Sequence, residues 1–309
     1  MRSTGLRRAA VTVSLVLAIG GLVGCGDDDS DVDAGGSSSV VTSASPTPAP
    51  VENAVAITGV DYGYTLDKPA VDSGLTKIEF INGGKDAHML VISQITPGKT
   101  FKDAQAALVT QDEKDDEGIF VETDDYPAGA PQILTPGART TTYTDLKSGS
   151  YALICFFPTP DGKAHFAAGM LAEFTVNAAA TTAPAPVTTA EATVVEGTIT
   201  IPDLSSGKAM LKVTNAGKSA HDFTVVSTPP GKTFADILAV VDKYFQGQGK
   251  VADIAGVFHG GLTSLPAGTS GVLELDLPPG TYYVICTEGE GDGKEHFRVG
   301  TEKVEFKVA

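Results

Sequence analysis

The chain has 309 residues, of which 42% are hydrophobic, and its formal net charge is −16 at pH 7. This composition suits globular structure, and the length suits two domains of ~100–200 residues each. Proteins that bind the nucleic-acid backbone draw most of their affinity from clustered Lys and Arg, so a chain this acidic is not expected to have a nucleic-acid partner.

The first predicted element is an export signal. Three arginines precede an apolar run over residues 9–23, which is too short, at ~1.5 Å per residue, to span a bilayer core of ~30 Å. The run ends in Leu-Val-Gly-Cys, and this ending resembles the bacterial lipobox. The resemblance implies that residues 1–24 are removed, that Cys25 carries a lipid, and that the protein is extracytoplasmic and anchored to the bacterial cell membrane. An ordinary cleaved signal with an incidental Cys25 is the alternative.

Two polar tracts divide the rest of the chain. Residues 25–52 contain an acidic run, a serine run and a proline-rich segment without apolar periodicity, so they are predicted to form a disordered tether. Residues 178–192 are rich in Ala, Thr and Pro and predict a linker. These boundaries predict one domain over 53–177 and a second over 193–309.

The two predicted domains carry the same motifs in the same order. Asn82 stands six residues before His88, and Asn215 stands six residues before His221. Two later pairs of segments also match, namely 149–155 with 280–286 and 161–166 with 292–297. The sequence therefore predicts two tandem copies of one module.

Each module is predicted to be mainly β. Short runs that are β-branched or alternate in polarity, bounded by Gly and Pro, lie at 76–81, 89–92, 151–155 and 171–176 and recur in the second half. Seven or eight such strands predict a sandwich of two antiparallel sheets. One inserted helix per module is predicted after Thr100 and after Thr233, because each threonine is followed three residues on by an acid. Apolar residues at helical spacing in the second helix are predicted to be core: Phe234, Ile237, Leu238, Val241 and Phe245.

The candidate functional residues are histidines, cysteines and one methionine. Beyond Cys25 the cysteines are Cys155 and Cys286, each at the end of an apolar strand and each followed ten residues later by a histidine. In the first module Met170 follows five residues after that histidine. Imidazole, thiolate and thioether are the ligand set of a blue-copper centre, where imidazole and thiolate form a plane and the thioether binds weakly on the axis.

These residues stand in a recognisable order. The pattern Phe80-x-Asn82-x5-His88, followed by Tyr151-x3-Cys155, Pro158 and His165-x3-Gly169-Met170, resembles the cupredoxin family of plastocyanin and azurin. The resemblance covers roughly 53–177 and, more weakly, 193–309, and it implies two tandem Greek-key β-sandwiches. It implies one copper held by His88, Cys155 and His165 with Met170 on the axis, and it places Asn82 in the loop that braces the site.

The spacing between Cys155 and His165 differs from the family pattern. Nine residues separate them, where the family normally has only a few. Proline and Asp-Gly within this segment are turn formers, so the loop is predicted to double back and return His165 to the end of the strand.

The second module is predicted to be the weaker or inactive site. It keeps His221, Cys286 and His296, but Thr301 stands where Met170 stands in the first module. A hydroxyl is a poor donor to Cu(I). The loop before His296 has four acids and three glycines, so ordering it costs more chain entropy.

Other interpretations of these residues stay open. Cys155 suits a small buried hydrophobe, and Cys155 and Cys286 suit a disulfide in an oxidising compartment. The histidines suit surface residues left over from an ancestral metal site. His259, which has no counterpart in the first module, is predicted to be a solvated histidine on a Gly-rich loop.

The predicted function is copper binding by a membrane-anchored, extracytoplasmic protein that transfers single electrons to or from a redox protein partner, or that handles copper. The alternative is a metal-free, cupredoxin-like binding or structural module of the cell envelope. No nucleophile elbow, His-Glu-x-x-His motif or phosphate loop occurs, and the protein is predicted not to be an enzyme.

Overall fold

A computed structural model of the chain describes residues 53–110, 118–121, 129–159, 162–180, 183–205, 207–245, 250–254, 256–288 and 303–309. The predicted export signal, lipidation site and tether lie outside these residues, as do His296 and Thr301. No helix in the described part of the chain is long and apolar enough to cross a membrane.

The first half of the described chain is built mainly from strands. They are β1 (Ala54–Val60), β2 (Gly63–Leu66), β3 (Ala70–Asn82), β4 (Val91–Gln94), β5 (Ala130–Pro131), β6 (Arg139–Leu146), β7 (Gly149–Ile154) and β8 (Leu171–Ala180). The helix α1 (Phe101–Thr110) follows β4, and a short 3₁₀ helix (His165–Ala168) precedes β8. Alternate residues of β3 are buried from Thr76 to Asn82, so this strand turns one face to a core that includes Phe80, Leu153 and Phe174.

The second half is also built mainly from strands and has its own core. Its strands are β9 (Ala190–Val195), β10 (Thr198–Thr200), β11 (Lys208–Asn215), β12 (His221–Ser227), β13 (Phe258–Leu265), β14 (Ser270–Asp276), β15 (Gly280–Ile285) and β16 (Lys303–Val308). Two helices, α2 (Phe234–Phe245) and α3 (Val251–Ile254), lie between β12 and β13. A single apolar cluster joins Leu211, Phe223, Leu273 and Val284 across these strands.

The two halves share sheets, which the repeat pattern alone does not show. Strand β14 pairs antiparallel with β6, with Val272 opposite Tyr143, and the short β5 pairs with β13, with Leu262 opposite Pro131. The resulting sheet orders are β10-β9-β11-β14-β6-β3-β8-β7-β4 and β16-β15-β12-β13-β5, and β1 pairs with β2 and β3. The described residues of both halves accordingly belong to one compact unit.

Two details of the predicted architecture are corrected by the structure. The sandwiches are not wholly antiparallel: β1 runs parallel to β3, β9 to β11, and β3 to β8. The chain reverses at the β1–β2 turn and again before β3, so β3 returns along the other edge of β1 in the same direction. The second half also has two inserted helices rather than one. The Greek-key connection itself stays a prediction.

Strands extend into both ends of the predicted linker 178–192. Strand β8 continues to Ala180, and β9 begins at Ala190, with Ala192 buried against the core of the second half. The domain boundaries on either side of the linker stay a prediction.

The helix caps have the predicted chemistry. Asp103 accepts a hydrogen bond from the Thr100 backbone N–H at 2.8 Å and donates its own N–H to the Thr100 hydroxyl at 3.2 Å. Thr233 and Asp236 repeat the exchange at 2.8 and 3.3 Å.

Helix α2 faces the same apolar cluster as the predicted copper ligands. Ile237 is buried, Phe234 and Leu238 are half-buried, and all three belong with Cys155 and Met170 to one cluster. The side chains of Val241 and Phe245 lie outside the described set. This second-half helix therefore helps to enclose the first-half cysteine in apolar surroundings.

Candidate metal centre

Three of the predicted ligands lie together. One ligand atom from each of His88, Cys155 and His165 falls within 4.8 Å of the others, and all three residues are buried. The two Nδ1 atoms of the histidines are 3.1 Å apart, and the Cys155 Sγ lies 3.5 Å from His165 Nδ1. Within the described ranges, no other set of three His, Cys, Asp or Glu side chains meets this condition.

Asn82 fixes the loop that delivers His88. At the end of β3, its amide donates to the carbonyl oxygens of Asp86 at 2.8 Å and Leu134 at 2.9 Å, and its Oδ1 accepts the N–H of Gly84 at 2.9 Å. The backbone N–H of His88 also donates to Leu134 O at 3.0 Å. The loop is thus held at both ends before any metal binds.

The segment between Cys155 and His165 doubles back on itself. The His165 N–H donates to Phe157 O at 2.8 Å, and the Phe166 N–H donates to Cys155 O at 2.9 Å. Nearer the tip, Pro158 and Ala164 form an isolated bridge. The described residues on the two sides of the segment, 155–159 and 162–165, therefore run back along each other, and the imidazole of His165 returns to the end of β7, beside the sulfur.

The environment of the site favours neutral imidazoles and a protonated thiol in the metal-free protein. Burial raises the pKa of the Cys155 thiol to about 12, although backbone N–H groups of Met89 and Phe157 act to lower it. Burial lowers the pKa of His165 to about 4, and burial lowers the pKa of His88 despite the opposing effect of Asp61. The imidazoles are therefore ready to bind a metal, whereas the thiol must release its proton.

The donor set fits a copper ion. Metal–ligand bonds of about 2.0 Å to nitrogen in a trigonal plane separate two nitrogens by about 3.5 Å, and the two Nδ1 atoms already lie 3.1 Å apart. His165 Nε2 is buried and has no hydrogen-bond partner among the described residues. Two imidazoles with one thiolate is the combination that suits both oxidation states of copper.

Met170 is buried beside the three ligands. Its N–H donates to His165 O at 3.0 Å, and its carbonyl accepts the Cys155 N–H at 3.4 Å. A Cβ placed on Gly59 would lie 3.1 Å from the Met170 methyl carbon and 3.5 Å from His88 Cβ, so the end of this side chain lies near His88. Its axial role stays a prediction.

The second half shows part of the same arrangement. Cys286 Sγ lies 3.7 Å from His221 Nδ1, and the Asp222 N–H donates to this sulfur at 3.2 Å, as the Met89 N–H does to Cys155 at 3.5 Å. The remaining predicted ligand, His296, and the substitution at Thr301 lie outside the described residues. The weaker second site stays a prediction.

Two other sequence interpretations are settled by the structure. Cys155 and Cys286 are both buried, and neither forms a disulfide. The prediction of a solvated loop histidine at His259 is wrong: this residue is half-buried on β13, and its Nε2 lies 2.7 Å from the Ser227 hydroxyl. Gly261, two residues after His259, lies where β13 comes very close to β12, because a Cβ on Gly261 would lie 1.9 Å from Phe223 O.

Three residues around the site were missed by the sequence analysis. Tyr62 packs edge-on against His165 with ring centroids 4.7 Å apart, and the Tyr64 hydroxyl donates to Met89 O at 2.5 Å. Asp61 lies 2.9 Å from His88 Nε2. Burial acts to raise the pKa of Asp61, but nearby N–H donors and His88 together hold it below its usual value. The one available signal was an acid in the turn after the first strand of each module, Asp61 and Glu196.

The fold and the site together define a mainly β protein with a candidate His-Cys-His metal centre, and its solved structural neighbours have the cupredoxin-like fold. They include dithionite-reduced auracyanin from the photosynthetic bacterium Roseiflexus castenholzii, with 22% identity over 41% of this chain and 98% of that one and a TM-score of 0.28. A multicopper oxidase is 15% identical over 83% of this chain and 88% of its own, with a TM-score of 0.25. A copper-containing nitrite reductase from Thermus scotoductus SA-01 is 12% identical over 82% and 60%, with a TM-score of 0.22. No protein-family profile and no curated protein matches the chain.

One sequence prediction is contradicted by these neighbours. The chain was predicted not to be an enzyme, whereas a multicopper oxidase and a copper-containing nitrite reductase are enzymes. The prediction relied on missing hydrolase and phosphate-binding motifs. Those motifs do not bear on redox chemistry, in which the metal performs the reaction and the protein supplies ligands and orientation.

The free energy of unfolding of the metal-free protein is expected to fall as the pH drops from about 6.5 to about 4. The pKa of His165 is lowered from 6.5 to about 4, so the unfolded chain takes up its proton first. At about 1.4 kcal/mol per pKa unit, His165 contributes roughly 3 kcal/mol above pH 6.5 that is lost at low pH. Urea unfolding of the wild type and His165→Gln at pH 7 and pH 4 measures this contribution. Equal declines in the two proteins would contradict it.

Proposed function

We propose that the protein binds copper through His88, Cys155 and His165, with Met170 as a weak axial ligand, and that it transfers single electrons or handles copper. The observation that carries this proposal is the convergence of two Nδ1 atoms and one Sγ in a buried site, with the histidine nitrogens 3.1 Å apart. A hydrogen bond between the two imidazoles would account for the nitrogen pair alone, whereas the Cys155 sulfur 3.5 Å from His165 Nδ1 adds a third ligand type of a copper site.

Bound copper would supply a change of one unit of charge between Cu(I) and Cu(II). The residues of this chain hold the ligands in place, because Asn82 fixes the loop before His88 and the Phe157 carbonyl fixes His165. The Met89 N–H points at the Cys155 sulfur and stabilises its thiolate form. Burial of all three ligands excludes water. A site that is held this firmly changes little in shape when its charge changes, which favours fast electron transfer.

Copper titration of the purified protein, followed by metal analysis and a visible spectrum, tests the proposal. We expect tight binding at the first-half site and an intense visible absorption from the oxidised thiolate–copper bond, which a mild reductant bleaches reversibly. Stoichiometric Cu(II) without that absorption would contradict the proposal and would indicate adventitious binding by imidazole.

We further propose that the second-half site is the weaker one. Cys286 Sγ lies 3.7 Å from His221 Nδ1, but the segment that carries His296 has four acids and three glycines before the histidine. Ordering such a segment opposes metal binding. A redox protein partner is proposed for the electron-transfer role, and the lipid anchor would keep both proteins at the same membrane.

Replacing Cys25 by Ala is expected to move the protein from the membrane fraction to the soluble fraction. The proposed lipid on Cys25 is the anchor, and no described helix is long and apolar enough to replace it. Fractionation of cells that express the wild type and Cys25→Ala measures the change. A variant that stays equally membrane-bound would contradict the proposed anchoring.

A further inference from the structure

The carboxylate of Asp61 contacts the edge of the His88 imidazole on the side opposite His165. Asp61 stands in the turn between β1 and β2, and its Oδ1 is 2.9 Å from His88 Nε2. The same carboxylate accepts the backbone N–H groups of Lys85 at 2.8 Å and Asp86 at 3.3 Å. One side chain thus ties the β1–β2 turn both to the loop before the ligand and to the ligand itself.

This contact determines which nitrogen of His88 carries the proton. An ionised carboxylate only accepts hydrogen bonds, so its contact with Nε2 requires a proton there. The other nitrogen, Nδ1, then has a free lone pair, and it is this atom that faces His165 Nδ1 at 3.1 Å. The carboxylate therefore selects the tautomer in which the lone pair points to the candidate metal position.

A glycine makes room for the contact. A Cβ built on Gly84 would lie 2.3 Å from Asp61 Oδ1 and 2.5 Å from His88 Nε2. No real side chain fits at such distances, so any other residue at this position would force the carboxylate and the imidazole apart. This steric observation does not use the hydrogen-bond distances. It indicates that the backbone at Gly84 leaves the room that the contact between Asp61 and His88 needs.

The second half offers a natural comparison. Glu196, in the turn between β9 and β10, accepts the N–H groups of Lys218 and Ser219, the latter at 2.9 Å. Its carboxylate is 4.0 Å from His221 Nε2, beyond hydrogen-bond distance. The Ser219 hydroxyl is the nearer group, at 3.4 Å from that nitrogen. The acid in the second half braces the loop without binding the imidazole directly.

We propose that Asp61 is a positioning residue that holds His88 in the Nε2–H tautomer and stabilises oxidised over reduced copper at the first-half site. The inference rests on the proposed copper-binding function. A negative charge hydrogen-bonded to a ligating imidazole makes that ligand more basic and favours the more positively charged Cu(II). Asp61 therefore lowers the reduction potential, and Glu196 lacks the direct contact needed to do the same for His221.

The test compares Asp61→Asn with Glu196→Gln, each of which removes one negative charge and keeps the shape of the side chain. In Asp61→Asn we expect about a 10–100-fold loss of Cu(II) affinity and a smaller loss of Cu(I) affinity. The reduction potential rises by about 59 mV for each tenfold difference between the two losses. Glu196→Gln leaves the potential and affinity of the first-half site unchanged. If Asp61→Asn has the wild-type potential and Cu(II) affinity, the proposal is wrong.

A second measurement needs no copper. Nitrogen-15 NMR of the imidazoles in metal-free wild-type protein reports the tautomer of His88, assigned by the signal that is lost in His88→Gln. We expect the proton on Nε2, and a proton on Nδ1 would overturn the proposal. Absence of a thiolate–copper absorption in the wild type would instead overturn the proposed copper function, while the NMR result would still decide the role of Asp61 in positioning.

Discussion

Replacing Cys155 by Ser is expected to abolish the visible absorption of the copper-loaded protein. The absorption arises from a bond between copper and thiolate sulfur, and a serine hydroxyl is a hard, poor donor that stays protonated. Copper affinity at the site should fall by at least about 100-fold, the upper end of what changes outside the ligand set produce. The visible spectrum and competition with a copper chelator measure the two effects.

Cys286→Ser is the matched control for this experiment. Both cysteines are buried and neither forms a disulfide, and each sulfur accepts a backbone N–H, from Met89 or from Asp222. The two substitutions therefore disturb their surroundings alike. Because the first-half site is proposed to be the stronger one, Cys286→Ser should keep most of the absorption. Loss of the absorption in Cys286→Ser alone would assign the coloured site to the second half.

The candidate ligand residues were accessible from the sequence because they recur. Asn82 and Asn215 stand at the same distance from a histidine, and in the structure both make the same three hydrogen bonds to their loops. The repeated spacing indicates that the asparagine holds the same loop geometry in both halves. The turn-forming residues after Cys155 likewise contained the information that the segment doubles back.

Long-range contacts were not accessible in this way. Asp61 is 27 residues from His88 in the chain, and an acid in a surface turn has many ordinary explanations, so only coordinates connect the two. The pairing of β6 with β14 is similar, because the alternation of buried and exposed side chains marks a strand but does not name its neighbour. The parallel direction of β3 and β1 follows from how the chain returns to the sheet edge, which short apolar runs do not encode.

Replacing Asn82 by Ala is expected to lower both the free energy of unfolding and the affinity for copper. The substitution removes three hydrogen bonds, two to the half-buried backbone groups of Asp86 and Gly84 and one to the buried Leu134 carbonyl. At about 0.5–1.5 kcal/mol net for each hydrogen bond, the loss of unfolding free energy should be roughly 2–4 kcal/mol. His88 then loses the loop geometry that directs its Nδ1 toward His165, so copper affinity should fall by about 10–100-fold.

Asn215→Ala separates these two effects. Asn215 donates to Ser219 O and Leu265 O, both at 2.7 Å, and accepts the Gly217 N–H at 2.8 Å, so its removal should cost a similar free energy of unfolding. The first-half loop is untouched in this variant, and its thiolate–copper absorption and affinity should stay at the wild-type values. Urea unfolding and copper titration of both variants provide the comparison. If Asn82→Ala binds copper as tightly as Asn215→Ala does, the Asn82 loop does not determine the geometry of the site, and the burial of His88 must hold the imidazole in place by packing alone.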